Sequence, residues 1–343
     1  MLVILFTAAL AHAADTPAAP PAFKLEAPDI APFLQNLNGV WELAAPGSEE
    51  FKPAQVPGLW NQVGGKDSQE WLTATYRREF TLPANTHGAA LEFDALTWGG
   101  EVLLNGHSAG DYDLGYAGHT FDLSEFLQPG VNKLTVKPVG WKAIPRYPGG
   151  MTKIPVGVAN WFGNKSGGIP GDVRLRLYDG ARIDQFRVYP QVLGANPPGC
   201  KISIPVLAGN KDFTGTLCVQ ILSDDAKQAV AAVWRKPLKL KSEEWRMVET
   251  ELLPIPGGTL WCPATPLLYR ARAWLEKPAT IEADAVSVAS VRDETFGLRE
   301  IAIKDGHLQL NCKPVALFGY TGVGAYFQFN LIADSAALKT YQV

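Results

Sequence analysis

Val102-Leu103-Leu104-Asn105-Gly106-His107-Ser108-Ala109-Gly110 decides the fold. An apolar run enters Asn-Gly, the pair that best supplies the two positive φ angles a tight β-hairpin turn needs. Strands on either side of this hairpin show the same habit. In Thr75-Tyr76-Arg77-Arg78-Glu79-Phe80-Thr81-Leu82, Tyr76, Phe80 and Leu82 share one face, with charges mostly between them. Leu91-Glu92-Phe93-Asp94-Ala95-Leu96, Lys133-Leu134-Thr135-Val136 and Val173-Arg174-Leu175-Arg176-Leu177 repeat the period of two. No sustained helical period interrupts residues 36–178. Short strands at this spacing predict a β-sandwich.

A second β block follows from about Ile183 to Ile303. Ile202-Ser203-Ile204, Thr216-Leu217-Cys218-Val219-Gln220-Ile221 and Tyr269-Arg270-Ala271-Arg272-Ala273-Trp274-Leu275 read as strands. Their number and spacing fit an immunoglobulin-like sandwich. The last forty residues change character. Gly306 to Lys313 reads as a hairpin, and Pro314 to Gly319 as a strand buried on both faces. Asp334 and Ser335 are good helix caps before Ala336-Ala337-Leu338-Lys339. A buried strand followed by a helix is how a parallel α/β unit begins, so a further domain is expected beyond this stretch.

Composition agrees. The chain has 343 residues, and Gly 33 with Pro 26 exceeds the ordinary share of about 12%. Only 19% is charged. With 31 basic and 34 acidic residues, the net charge of −3 lacks the basic footprint of a nucleic-acid binder. Leu2 to Leu10 is a short apolar run before Ala11-His12-Ala13, the small-residue pattern of a signal-peptide cleavage site. A buried amino-terminal strand is the alternative. Thr16 to Ala22 reads as an extended Pro/Ala linker. No later segment is long and apolar enough to span a membrane. A periplasmic or secreted location is expected.

The four cysteines, Cys200, Cys218, Cys262 and Cys312, include no CxxC pair, so no structural zinc site is expected. Cys200 and Cys218 both fall in expected strands; a bridge between them and a pair of buried free thiols are both open readings. His87, His107, His119 and His307 show no ligand spacing. Glu49-Glu50, Asp224-Asp225 and Glu243-Glu244 are adjacent pairs, which point to opposite faces of a strand and cannot clamp one bond.

The order of several segments resembles glycoside hydrolase family 2, which includes β-galactosidases, β-glucuronidases and β-mannosidases. Leu37-Asn38-Gly39-Val40-Trp41 and Val56-Pro57-Gly58-Leu59-Trp60 resemble the family's opening. Tyr76-Arg77-Arg78-Glu79-Phe80, the 102–110 hairpin, and Phe121-Asp122-Leu123 with Gly130-Val131-Asn132-Lys133-Leu134 follow in order. Leu260-Trp261-Cys262-Pro263 with Pro266-Leu267-Leu268-Tyr269 resembles a signature late in the middle domain. Phe296-Gly297-Leu298-Arg299 and Leu310-Asn311-Cys312-Lys313-Pro314-Val315 resemble the entry to the catalytic barrel. The likeness covers essentially the whole chain after the expected leader. It departs at Cys312, where the family usually has Gly, and at Phe318. It departs also at Pro170 and Gly171, where an aromatic residue and an Arg are usual.

The resemblance implies a mostly β chain. Its expected parts are a signal peptide over 1–14, a linker and arm over 15–35, a jelly-roll, galactose-binding-like domain over 36–182, an immunoglobulin-like sandwich over 183–303, and the truncated start of a (β/α)8 barrel over 304–343. It implies retaining hydrolysis by two glutamates on barrel strands, about 5–5.5 Å apart. Both lie beyond the first barrel helix, so no residue here takes a catalytic role. The implied partners are a β-linked glycan and a missing or separately encoded catalytic barrel. No metal or cofactor is implied. The rival reading is a non-catalytic carbohydrate-binding or scaffold protein, or a fragment that complements such a barrel.

Six of ten tryptophans, Trp41, Trp60, Trp71, Trp98, Trp141 and Trp161, fall in the first domain. An aromatic face can stack on a sugar ring, although core packing is the commoner use of Trp. Asn160, Trp161 and Trp60 are the expected substrate-binding residues. Asn160-Trp161 precedes Gly167-Gly168-Ile169, near the spot where the family sends a polar residue toward the sugar.

Overall fold

The computed structural model describes residues 21–83, 86–113, 115, 117–144, 166–278 and 287–316. These form two consecutive antiparallel β-sandwiches and a small hairpin sheet.

The first sandwich sets a four-stranded sheet against a six-stranded one. The four-stranded order is Leu34–Asn36, Val173–Tyr178, Gly88–Leu96, Ala117–Asp122. The six-stranded order is Lys52–Val56, Gly39–Ala44, Thr75–Thr81, Val131–Pro138, Gly100–Leu104, His107–Tyr112. Alternation fills the space between them: Tyr76, Phe80, Leu91, Phe93, Leu104, Leu134, Val173 and Leu175 all enter one core. Burying such side chains contributes roughly 1.5–3 kcal/mol each.

The expected hairpin is present, with Asn105 at φ 52 and Gly106 at φ 87. The Asn105 side chain does more than turn the chain. Its Nδ2 donates to Phe126 O (2.8 Å) and to Asn132 Oδ1 (2.9 Å), and its Oδ1 accepts from Lys133 N (2.8 Å). Asn132 is fully buried and closes its own loop through Gln128 N and O. Two of the segments that resemble the family are therefore one hydrogen-bonded unit.

In the second sandwich, Gly199–Ala208 is the hub of one sheet. It pairs with Ala181–Ile183 and Arg187–Gln191 on one edge, and with Trp245–Glu249 and Leu253–Pro254 on the other. The facing sheet runs Trp234–Leu240, Phe213–Ser223, Tyr269–Lys277, Ser287–Phe296. Cys200, Ile202, Ile204, Leu217, Val219 and Ile221 meet in the core between them.

Cys218 lies on the other face of its strand, packed with Trp274 and Val291. Cys200 thus points into the sandwich and Cys218 out of it, so the 200–218 bridge considered from sequence is corrected to two separate buried thiols.

The outer patch around Cys218 is covered by the amino-terminal arm, whose Ala27, Ile30 and Phe33 pack against it. The buried Gln220 holds the arm's backbone. Its Oε1 accepts from Glu26 N and Ala27 N (3.1 Å each), and its Nε2 donates to Lys24 O (2.8 Å). Arg272 donates to Pro28 O (2.7 Å) while its fork grips Asp293. The segment expected as a linker and arm over 15–35 is, from residue 21 onward, a strap over the second sandwich that then enters the first as Leu34–Asn36.

An ionic cluster joins the sandwiches. Glu92 accepts from Arg176 Nε (2.8 Å) and Arg174 Nε (3.3 Å) of its own sheet, and from Arg292 of the second sandwich. Asp179 N also donates to Ala289 O (2.8 Å) across the seam.

The hairpin expected over 306–313 is present as His307–Leu310 paired with Lys313–Pro314, and Ile301–Lys304 pairs with the other edge of His307–Leu310 as a third strand. The expected buried strand at 314–319 is described only to residue 316, where Pro314 and Ala316 are exposed. The helix expected near 334–339 lies outside the described residues.

Candidate functional site

Four loop segments of the first sandwich interlock around its tryptophans. A two-stranded ladder, Gly58–Leu59 with Gly168–Ile169, brings the chain just before Trp60 to the chain before the Val173 strand. Gly167 O accepts from Trp60 N (2.9 Å). Gly168 N donates to Thr97 Oγ1 (2.8 Å), and Thr97 N to Gly168 O (3.2 Å). A Cβ on Gly168, which sits at φ +148, would lie 2.7 Å from Gly58 O and 2.8 Å from Tyr76 Oη. A Cβ on Gly167 would lie 2.7 Å from the Trp60 ring. The Gly-Gly pair is required by these close approaches. Gly171, the departure noted from sequence, has the same cause: its Cβ would fall 2.1 Å from Ala95 N.

Within this frame Trp60 and Trp71 pack with ring centroids 5.8 Å apart, and Trp98 and Trp141 at 5.9 Å. Trp98 holds φ 42, a left-handed conformation costing a bulky residue about 1–3 kcal/mol. The Thr97–Gly168 bonds and Gly99 N to Thr97 O (2.7 Å) hold it there. The helical turns Gly65–Glu70 and Trp141–Ala143 are linked by the Lys142–Glu70 ion pair.

Trp60 was expected to meet substrate, and the structure corrects this. Its exposure is 0%, its Nε1 donates to Ser68 O (2.9 Å), and Gly167 covers its ring. It is the floor on which the Ser166–Ile169 segment rests. Trp41 is likewise core, with Nε1 donating to Leu37 O (2.8 Å). Trp71 and Trp141 are half-buried. Asn160 and Trp161 lie outside the described residues, a few positions before this Gly-Gly segment. Sequence reading did not single out Thr97 or Ser68; their signal is only positional, beside Trp98 and the Gly-rich turns.

Among the described residues no cluster of His, Cys, Asp or Glu could hold a metal. A glycosidase acid needs a carboxyl kept protonated above its ordinary range. The shifted carboxyls here move the other way. Burial pushes Glu92 up, but Arg292 and Arg176 more than offset it and hold it low. Burial likewise raises Asp122, and the bonds from Ser124 and Tyr178 with the Arg182 charge bring it below the usual range. The Tyr76 hydroxyl is buried without a hydrogen-bond partner, and burial, with Tyr112 beside it, keeps it firmly protonated.

A second motif pair is explained by packing. Trp261 N donates to Leu298 O (2.9 Å), Arg299 lies over the Trp261 ring at 4.3 Å, and a Cβ on Gly297 would come within 2.8 Å of that ring. The 260–263 and 296–299 segments are the two halves of one clasp.

Comparison with known proteins follows this geometry. The glycosyl hydrolase 2 galactose-binding domain-like family matches residues 65–139. A candidate beta-glucuronidase of Formosa agariphila is 27% identical over 292 residues, covering 80% of this chain and 32% of that protein. A beta-galactosidase of Yersinia pestis is 25% identical over 334 residues, covering 84% of this chain and 30% of that protein. The chain thus spans about a third of the length of these relatives. Among solved structures, a GH2 beta-galacturonidase of Eisenbergiella tayi superposes with TM-score 0.64 at 24% identity, over 82% of this chain and 46% of that one. A beta-glucuronidase of Bacteroides uniformis does so with TM-score 0.63 at 21%, over 83% and 35%; these two likenesses concern the fold. The collinear motifs, the domain matched over residues 65–139 and these relatives together support a likeness to the amino-terminal portion of glycoside hydrolase family 2.

Proposed function

We propose that the two sandwiches serve an exported retaining glycosidase that cleaves a β-linked glycan, its two catalytic glutamates residing in a barrel that follows the 301–314 hairpin. One observation carries this reading. Ile301 pairs with Leu310 and Ile303 with Leu308, so all four share a face of the hairpin. Ile301 is 60% exposed and Ile303 79%. A β-branched apolar pair in water at the point where the chain leaves the second sandwich calls for a covering domain. The matched family supports the same class of chemistry. In this reading Asn160 and Trp161 line the substrate entrance.

The test joins this chain to a family 2 barrel and compares it with the chain alone on chromogenic β-galactosides, β-glucuronides and β-mannosides. The chain alone should release no chromophore, and the joined protein should hydrolyse at least one substrate. Trp161→Ala in the joined protein should raise KM about tenfold, the loss of roughly 1.4 kcal/mol of sugar contact. Hydrolysis by the chain alone would overturn the reading. Tight glycan binding by the chain alone, with no effect of any barrel, would favour a freestanding binding module.

A further inference from the structure

Cys262 and Cys312 sit on two turns that the fold clamps together. Cys262 opens the turn Cys262-Pro263-Ala264-Thr265, closed by Cys262 N to Thr265 O (3.1 Å) and Thr265 N to Cys262 O (2.9 Å). Cys312 is the second turn residue between His307–Leu310 and Lys313–Pro314. The side chain of Asn311 ties the two: Nδ2 donates to Trp261 O (3.0 Å), and Oδ1 accepts from Glu300 N (3.0 Å). Each cysteine is thus the immediate successor of a residue in one hydrogen bond. Lys313, next to Cys312, also lies close enough for its charge to act on the Cys262 thiol.

The two thiols differ from the other pair. Cys200 and Cys218 are buried, and burial pushes both thiols up to about 12. Cys312 is exposed and Cys262 half-buried. The Thr265 backbone bond first, and the Lys313 charge last, favour the thiolate of Cys262. Cys312 also occupies φ 66, where glycine would sit without strain.

We propose that Cys262 and Cys312 form a disulfide that staples the Trp261 turn of the second sandwich to the terminal hairpin. The oxidant is a small-molecule or protein disulfide. The Cys262 thiolate attacks one sulfur of the oxidant, forming a mixed disulfide and releasing one thiolate. The Cys312 thiolate then attacks the Cys262 sulfur, forming the 262–312 bond and releasing the second thiolate. Two electrons pass from the cysteines to the oxidant, and the two released thiolates take up the two protons. The closed loop of about fifty residues is long enough to restrict the unfolded chain strongly. The staple fixes the angle at which the apolar hairpin leaves the sandwich.

The full chain is equilibrated with oxidised glutathione, alkylated without denaturant, digested without reductant and mapped by mass spectrometry. The expected result is a peptide pair linked through Cys262 and Cys312, in a monomer about two daltons lighter than the reduced chain. Its melting temperature should exceed that of the reduced chain by several degrees. Cys262→Ser and Cys312→Ser should each erase that difference and leave the remaining thiol open to alkylation. Separate glutathione adducts on both cysteines, free alkylated thiols after oxidation, or linkage only between two molecules would each overturn the proposal.

Discussion

Gly297 shows how a single hydrogen atom in place of a side chain sets a junction. The Trp261 indole lies where a Cβ would be, and the clasp between the 260–263 and 296–299 segments closes only because that space is empty. Gly297→Ala should therefore destabilise the second sandwich by about 1–3 kcal/mol, the usual effect of overpacking; a urea titration of the full chain measures it. An unchanged midpoint would mean that the indole has room to move. Trp60 marks the limit of reading residues one at a time. Nothing local distinguishes a tryptophan that faces a sugar from one that supports a glycine, because the covering Gly167 is more than a hundred positions away in the chain.

At the level of elements, the Asn105 hairpin joins two strands and also seats the loop before a third. Asn105→Ala removes three hydrogen bonds, leaves the buried Asn132 short of a partner and places alanine at a positive φ. The expected loss is about 2–4 kcal/mol, read as a lower denaturation midpoint, with Asn105→Gly recovering only the backbone part. This hairpin was legible in advance, since alternation and Asn-Gly are local signals. So were the strands at 75–81, 131–138, 173–178 and 269–277, whose inward positions follow the period of two. The Phe213–Ser223 strand was legible as a strand but not as to its faces. Leu217 to Leu222 are all buried, because the arm covers the side that an ordinary sandwich leaves to water. That cover depends on Gln220 gripping backbone almost two hundred residues earlier, a pairing no local pattern announces. The fold was therefore largely readable, whereas the floor of the candidate site and the seat of the arm were not.

Across the whole molecule, Glu92 and Arg292 join the sandwiches through charge as well as apolar contact. The Glu92 carboxyl is held below its ordinary 4.5, with burial opposing and Arg292 and Arg176 prevailing. The folded state then binds fewer protons than the unfolded one in the window below that value. Its stabilisation is fully present above about pH 4.5 and is lost as pH falls through the lowered folded value. Glu92→Gln, which strands buried guanidinium charge, should cost about 3–5 kcal/mol near neutrality. It should also flatten the fall in stability between about pH 5 and 3, followed by denaturant titration at each pH; a variant as acid-sensitive as the parent would place the titrating group elsewhere. The strap has a consequence in time. Pro28 leaves the ribosome well before Arg272, its partner 244 positions later. At roughly 5–20 residues per second that delay is on the order of 10–50 s. The first sandwich can complete itself during the wait, while the patch at Trp274 and the strap that shields it meet only when most of the polypeptide exists. A nascent chain interrupted in that interval carries a sticky leading end with no seat, which makes the strap the part most in need of a chaperone's attention.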